Sequence, residues 1–260
     1  MAHAFARKVD LALSPELVPV IGDRLVRRGR AAWAVYGLAL GAMVVLLGRL
    51  GHDPDLGGAV VALGFIAFVQ LGRGLGTLAV QAVDDRGWDR PRVAHLARPR
   101  LVDFVTPLEL WWTRASALLA VAVAAFAAAM APGGHGRTSA LQVLAACVLV
   151  WAVVEVCGLL VARARPAASD VQSLAFDDAL RAESLRALLF AACFPLYAVA
   201  SAADAMGLPS VATYVLLAAF LAGGIPLSWA DASRRARQQF RRRLWAASAT
   251  GVGDPGSLTR

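Results

Sequence analysis

The longest uninterrupted apolar pattern runs over residues 140–162, where Gln142 and Glu155 are the only strongly polar positions. As a helix rising about 1.5 Å per residue it is roughly 34 Å long, enough to cross the ~30 Å hydrocarbon core of a bilayer. Five further stretches share this character: 31–48, 56–72, 110–131, 185–206 and 208–227. The pattern predicts an all-α fold, a polytopic membrane bundle of six transmembrane helices within 31–227. Trp111 and Trp112 at the head of the third span suit the headgroup level. Pro195, inside the fifth, lacks a backbone donor and frees the carbonyl of Ala191, which predicts a kink.

The segments between spans carry weaker patterns. Residues 1–30 form a cytoplasmic N-terminal segment that starts polar and poorly patterned, then reads Ser14-Pro15-Glu16, an N-cap followed by proline at the first helical position. Leu17, Val18, Ile21 and Leu25 recur at helical spacing while Asp23, Arg24, Arg27, Arg28 and Arg30 take the other positions, which predicts an amphipathic helix on the membrane surface. Asp53-Pro54 closes a short turn after the first span, and the second span is expected to continue helically to about Val83. The glycines at 72, 74 and 76 match a phosphate loop only in spacing, since no strand precedes them and no Lys-Ser/Thr follows. Gly72 and Gly76 instead give the small-xxx-small spacing that lets two helices approach closely.

Residues 84–109 form the longest polar stretch, with Arg86, Arg90, Arg92, Arg98 and Arg100 and three prolines. In 166–185, Ser169 or Asp170 can cap a helix whose Val171, Leu174, Leu180 and Leu185 make one apolar side, so a surface helix feeding the fifth span is expected. Asp177, Asp178 and Arg181 then read as a solvated face; the two adjacent carboxylates point about 100° apart and do not converge on a metal. The basic cytoplasmic tail, 228–260, spaces Ala232, Ala236, Phe240 and Leu244 four apart among six arginines, a basic interfacial helix suited to anionic lipid. Residues 246–260 read as disordered.

Composition supports a membrane protein: 58% of the 260 residues are hydrophobic and 17% charged, against about 45 to 50% and 25% in soluble domains. Lys8 is the sole lysine among 26 basic residues, a bias that points to a GC-rich bacterial genome and hence a bacterial cytoplasmic membrane. The net charge of +8 does not indicate nucleic acid, because no basic face interleaved with base-stacking aromatics and no known module is present. It reflects orientation. Six basic residues precede the first span, seven lie from Arg73 to Arg114, four between the fourth and fifth spans and seven after the sixth, against only Arg49 and Arg137 on the other side. By the positive-inside rule both termini are cytoplasmic. The first long apolar run begins at Ala31 and is long enough to span, which predicts an uncleaved anchor.

Candidate chemistry is sparse. No HExxH, GxSxG or nucleotide loop occurs, so no catalytic residue and no cofactor is expected. Cys147, Cys157 and Cys193 sit in apolar runs without CxxC spacing and read as small core residues. His3, His52, His95 and His135 are scattered over both sides of the membrane, so no metal site is expected. Gln70 and Gln142 read as interhelical glue.

Glu155 is the exception. It lies about 12 Å from the cytoplasmic end of the fourth span, and Arg114 lies about 9 Å into the third if that helix begins near Leu108. Matching depths on antiparallel neighbours predict a Glu155–Arg114 ion pair inside the bundle, with Arg73 a competing partner if the second span continues past Gly72. Such a pair is either an ion, proton or substrate site or a device fixing helix register.

Six helices, cytoplasmic termini, an amphipathic entry helix and short helices in the cytoplasmic loops resemble the membrane subunit of bacterial ABC-type exporters. The resemblance implies a permease that relies on a separate cytoplasmic ATPase. The segments RVAHLARPRLVDFVTPLELW and SLAFDDALRAESLR also look like stretches of actinobacterial six-helix membrane proteins of unassigned activity. The expected function is a transport-associated permease-like or accessory subunit, with the loops at 84–109 and 166–185 docking a soluble partner. The other expectation is a structural or regulatory membrane protein recruiting partners or anionic lipid.

Overall fold

A computed structural model describes residues 2–50, 72, 74–80, 83, 99–131, 134–166, 168–232 and 239–245. The expected second span apart from Gly72, with Gln70, falls outside them, as do Arg73, the arginines at 86, 90, 92 and 98, and the tail from 246. Among the described residues the fold is all-helical. Residues 72, 74–80 and 83 are helical, as the expected continuation of the second span requires.

Helix α1 (Ala2–Val9) occupies the stretch that sequence patterning leaves without an element. Its Ala2, Phe5, Ala6 and Val9 share one face and are buried. Asp10 adopts a left-handed conformation (φ 57), and the Leu11 N–H reaches back 3.0 Å to the Ala6 carbonyl, a Schellman-type stop. Helix α2 (Leu17–Leu50) runs 34 residues without a break, so the expected surface helix and the first span are one rod. Ile21 buries its side chain at the near end.

A short helix α3 (Leu101–Phe104) precedes α4 (Pro107–Met130). Thr106 caps α4: its Oγ1 accepts from the Glu109 N–H at 3.2 Å, while Glu109 Oε2 accepts from the Thr106 N–H at 2.6 Å. The helix therefore starts at Pro107, three residues before the apolar pattern expected of the third span. Gly134 (φ 75) turns the chain into α5 (His135–Arg163), which packs against α4; Ala120, Ala124 and Ala127 of α4 share one core with Ala140, Val143 and Cys147 of α5. Alanine faces let the two backbones approach closely. Their opposite faces expose Leu118, Leu119, Phe126, Val148, Leu149, Val156 and Leu160.

Asp170 caps α6 (Val171–Ala191) by accepting from the Ser173 N–H at 2.8 Å. The chain breaks at Ala192 and Cys193, and α7 (Phe194–Ser201) carries Pro195 in its first turn, so the predicted kink is a full interruption. After Gly207 (φ 74), α8 (Ser210–Ala232) continues through Gly223, Gly224 and Pro226, where the sixth span was expected to end. Helix α9 (Gln239–Leu244) follows.

Two expectations are overturned. Helix α6 is not a surface helix: Leu174, Phe176, Leu180, Leu185 and Leu188 are buried, together with Ala175, Ala179 and Ala182 on its other sides. The reason is non-covalent packing by segments remote in sequence. Phe5, Phe104, Val161 and Phe240 close around it in one core, drawn from both ends of the chain. Nor is the face of Asp177, Asp178 and Arg181 solvated, for these residues are 4%, 0% and 1% exposed.

Among the described residues three units are long and apolar enough to cross a membrane: Pro107–Met130, Gly136–Arg163 and Val171–Ser201. The first two turn much of their apolar surface outward, as a lipid environment requires and water does not favour, while the third is mostly enclosed by the rest of the chain.

Candidate functional site

Two polar assemblies interrupt this apolar architecture. The first is the pair expected from sequence. Arg114 Nε and Nη2 donate to Glu155 Oε1 and Oε2 at 2.7 and 2.9 Å, a bidentate fork between α4 and α5. Its placement differs from expectation, because 45% of the Arg114 side chain and 28% of the Glu155 side chain remain exposed on the outer face of the hairpin. The pair is not inside the bundle. Arg114 follows Thr113 and precedes Ser116 and Ala117, all three facing the core, and helical periodicity turns Arg114 the other way. Arg73, the competing partner, lies outside the described residues.

The second assembly lies around α6 and was not foreseen. Arg28, from α2, donates through Nε and Nη2 to Thr77 Oγ1 at 3.1 and 2.6 Å and through Nη2 to the Leu180 carbonyl at 3.0 Å and to Ser184 Oγ. Thr77 Oγ1 and Ser184 Oγ are 2.7 Å apart, and Ser184 Oγ donates to Leu180 O at 2.8 Å. One arginine thus joins α2, the helical residues 74–80 and α6. The approach is close because Gly76 faces the α2 backbone: a Cβ there would lie 2.8 Å from Ala32 N and 3.1 Å from Arg28 O. Gly72 repeats this one turn away, 2.9 Å from Ala32 O. This is the use expected for their four-residue spacing, and α2 is the partner helix.

Further along α6, Arg181 Nη2 meets Asp177 Oδ2 at 2.7 Å and its Nη1 donates to the Ala164 carbonyl at 2.8 Å, beyond the end of α5. Trp245 Nε1 donates to Asp178 Oδ2 at 3.2 Å, and Arg186 Nε stands 3.5 Å from Glu109 Oε1. Glu109 therefore serves twice, as capping-box residue of α4 and as the anion beside a buried arginine. At the rim, Lys8 pairs with Glu183 at 2.7 Å and Gln172 Nε2 donates to Ala12 O at 2.7 Å. Partial burial raises the Asp170 carboxyl, but hydrogen bonds from the Ser173 backbone and side chain, Ser169 and Gln172 outweigh it and hold its pKa below the ordinary value.

The only advance signal for this assembly was that α6 carries small residues on every side, Ser173, Ala175, Ala179, Ala182 and Ser184, beside an i,i+4 Asp177–Arg181 pair. An i,i+4 ion pair reads equally well as a solvated face.

Chemically, both assemblies pair donors with acceptors across helices. Cys147, Cys157 and Cys193 are buried free thiols, as expected of core residues, and no group of three or more His, Cys, Asp or Glu residues converges as a metal site among the described residues. Gln142 is exposed at the start of α5. No protein-family model, curated protein or solved structure matches the chain, so what it does is read from its own residues alone.

Proposed function

We propose that the chain is a multi-pass protein of a bacterial cytoplasmic membrane, with six spans and both termini inside, acting as a permease-like or accessory subunit without chemistry of its own. The observation that supports this most is the meeting of the two ends: Arg241 Nη1 donates to Asp10 O at 3.0 Å and lies 3.7 Å from Asp10 Oδ2. Segments that touch stand on one side of a membrane, so the number of crossings between them is even. Helices α4, α5 and the α6–α7 unit are long and apolar enough for three crossings, and in this reading α2, α8 and the apolar residues 56–72 supply the other three.

The arginine-rich end is then a cytoplasmic platform. Arg7, Arg30, Arg100, Arg163, Arg165, Arg242 and Arg243 are exposed around it. Such a rim suits an acidic face of a soluble ATPase or similar partner, and anionic headgroups beside it. Helix α6 is enclosed by the chain itself, so the partner meets this rim and not the 166–185 helix.

Purification of the tagged full-length chain from its own host tests the reading. Co-elution of an ATPase in constant ratio supports the permease. A second reading, a structural membrane protein, is favoured by the Arg114–Glu155 fork, which ties neighbouring helices; a chain that elutes alone and whose host phenotype survives Glu155→Gln sustains it. Reporter fusions that place the two termini on opposite sides overturn both.

A further inference from the structure

A bidentate ion pair on the outer face of a membrane hairpin calls for an explanation. If α4 and α5 are spans, as proposed above, Arg114 and Glu155 lie about 10.5 and 12 Å from the cytoplasmic ends of their helices, within the hydrocarbon layer. Charges at such depth are costly against lipid and normally face protein or water. Snorkelling does not relieve the cost, because Arg114 directs Nε and Nη2 sideways onto Glu155 on the neighbouring helix. Yet the pair keeps 45% and 28% of its side-chain surface exposed.

The surroundings match a helix-packing face. At i+4, i+8, i+11 and i+15 from Arg114 come Leu118, Ala122, Ala125 and Ala129, all exposed. On α5, counting back from Glu155, Ala152, Val148, Ala145 and Leu141 are exposed on the same face. Alanines let backbones approach, and a lipid-facing surface has no need of them.

We propose that this α4–α5 face packs on the same face of a second copy about a two-fold axis along the membrane normal, so that each Arg114 also meets the partner's Glu155. The charge pattern selects this occupant. One cation and one anion at similar depth form a self-complementary pair, because a two-fold axis along the normal preserves depth and sets plus opposite minus twice. A different membrane protein would need its own matching pair at that level.

Subunit counting by single-molecule bleaching of the full-length labelled chain, at low density in vesicles, reads this directly. Wild type is expected to bleach in two steps. Ala152→Leu, which adds bulk to an exposed helical position, is expected to weaken association at least tenfold. Arg114→Glu and Glu155→Arg each place like charges across the axis and are expected to be monomeric alone. Co-expressed under different tags they are expected to purify together, since opposite signs then meet only between chains. Single-step bleaching of wild type, dimers indifferent to all three variants, or two carbonate-resistant charge variants that fail to pair would overturn the two-fold contact. Release of wild type from membranes by carbonate would instead overturn the membrane reading on which it rests.

Discussion

Asp177 and Arg181 stand one turn apart on α6, and Oδ2 of the first lies 2.7 Å from Nη2 of the second with 6% and 1% of their side chains exposed. A buried pair of this kind gains little over apolar residues of the same volume, because attraction and desolvation nearly cancel. Removing one member is different. Asp177→Ala leaves the Arg181 guanidinium buried beside the Ala164 carbonyl and is expected to lower stability by about 3 to 5 kcal/mol. Asp177→Ala with Arg181→Met is expected to recover most of that loss. Denaturant unfolding in detergent checks both, and equal midpoints for wild type and Asp177→Ala would show that the pair is not enclosed.

The contact between residues 72–80 and α2 depends on glycine. A methyl group at Gly76 would stand 2.8 Å from Ala32 N, which side-chain rotation cannot relieve because the obstacle is backbone. Gly76→Ala is expected to cost about 1 to 3 kcal/mol. Gly37 meets nothing within 4 Å, so Gly37→Ala is expected to be neutral or stabilising by up to about 1 kcal/mol through helix propensity alone. Thermal midpoints of the two variants should move in different directions.

Thr106 and Glu109 form a capping box, but only Glu109 reaches further, to Arg186 at 3.5 Å. Thr106→Ala is expected to cost about 1 kcal/mol. Glu109→Ala leaves a buried arginine without this anion and is expected to cost about 3 to 5 kcal/mol. Similar losses for the two would mean that the link between α4 and α6 adds nothing to the cap.

Asp170 governs the acid limb of stability at the start of α6. Its folded pKa lies below the ordinary carboxyl value, so its contribution is complete above the unfolded value and is lost as pH falls through the folded one. Asp170→Asn keeps the cap and removes that dependence. The slope of stability against pH below about 4 is expected to be shallower in the variant; identical slopes would refute the assignment.

Phe240 ties the tail to the α6 core, fully buried among residues from both ends of the chain. Phe240→Ala is expected to cost about 3 to 5 kcal/mol locally. Trypsin should then cut at Arg241, Arg242 and Arg243 faster than in wild type, with the rest of the chain cleaved at an unchanged rate. Unchanged cutting at these arginines would show that the tail is held by other contacts.

Sequence alone determined the long apolar helices and where charge can lie along them, but not α1 or α3. A span of twenty apolar residues has few alternatives to a helix in lipid, Pro195 marks the break between α6 and α7, and Ser169 and Asp170 offer the cap of α6; the Thr106–Glu109 box that starts α4 lies outside the apolar pattern. It also made Arg114 a candidate partner for Glu155, because depth along two antiparallel neighbours is arithmetic on residue number, with Arg73 as the competitor; the fork itself is seen in the structure. What only the tertiary structure decided was which side of each helix is covered. Whether Asp177 and Arg181 face water depends on α1 and α9, which are remote in sequence and close around α6 from opposite ends of the chain. Whether the Arg114–Glu155 fork points into the bundle or out of it depends on the rotation of the α4–α5 hairpin, set by alanine packing on its other face. Periodicity specifies that a helix has sides; burial of a particular side is a property of its neighbours.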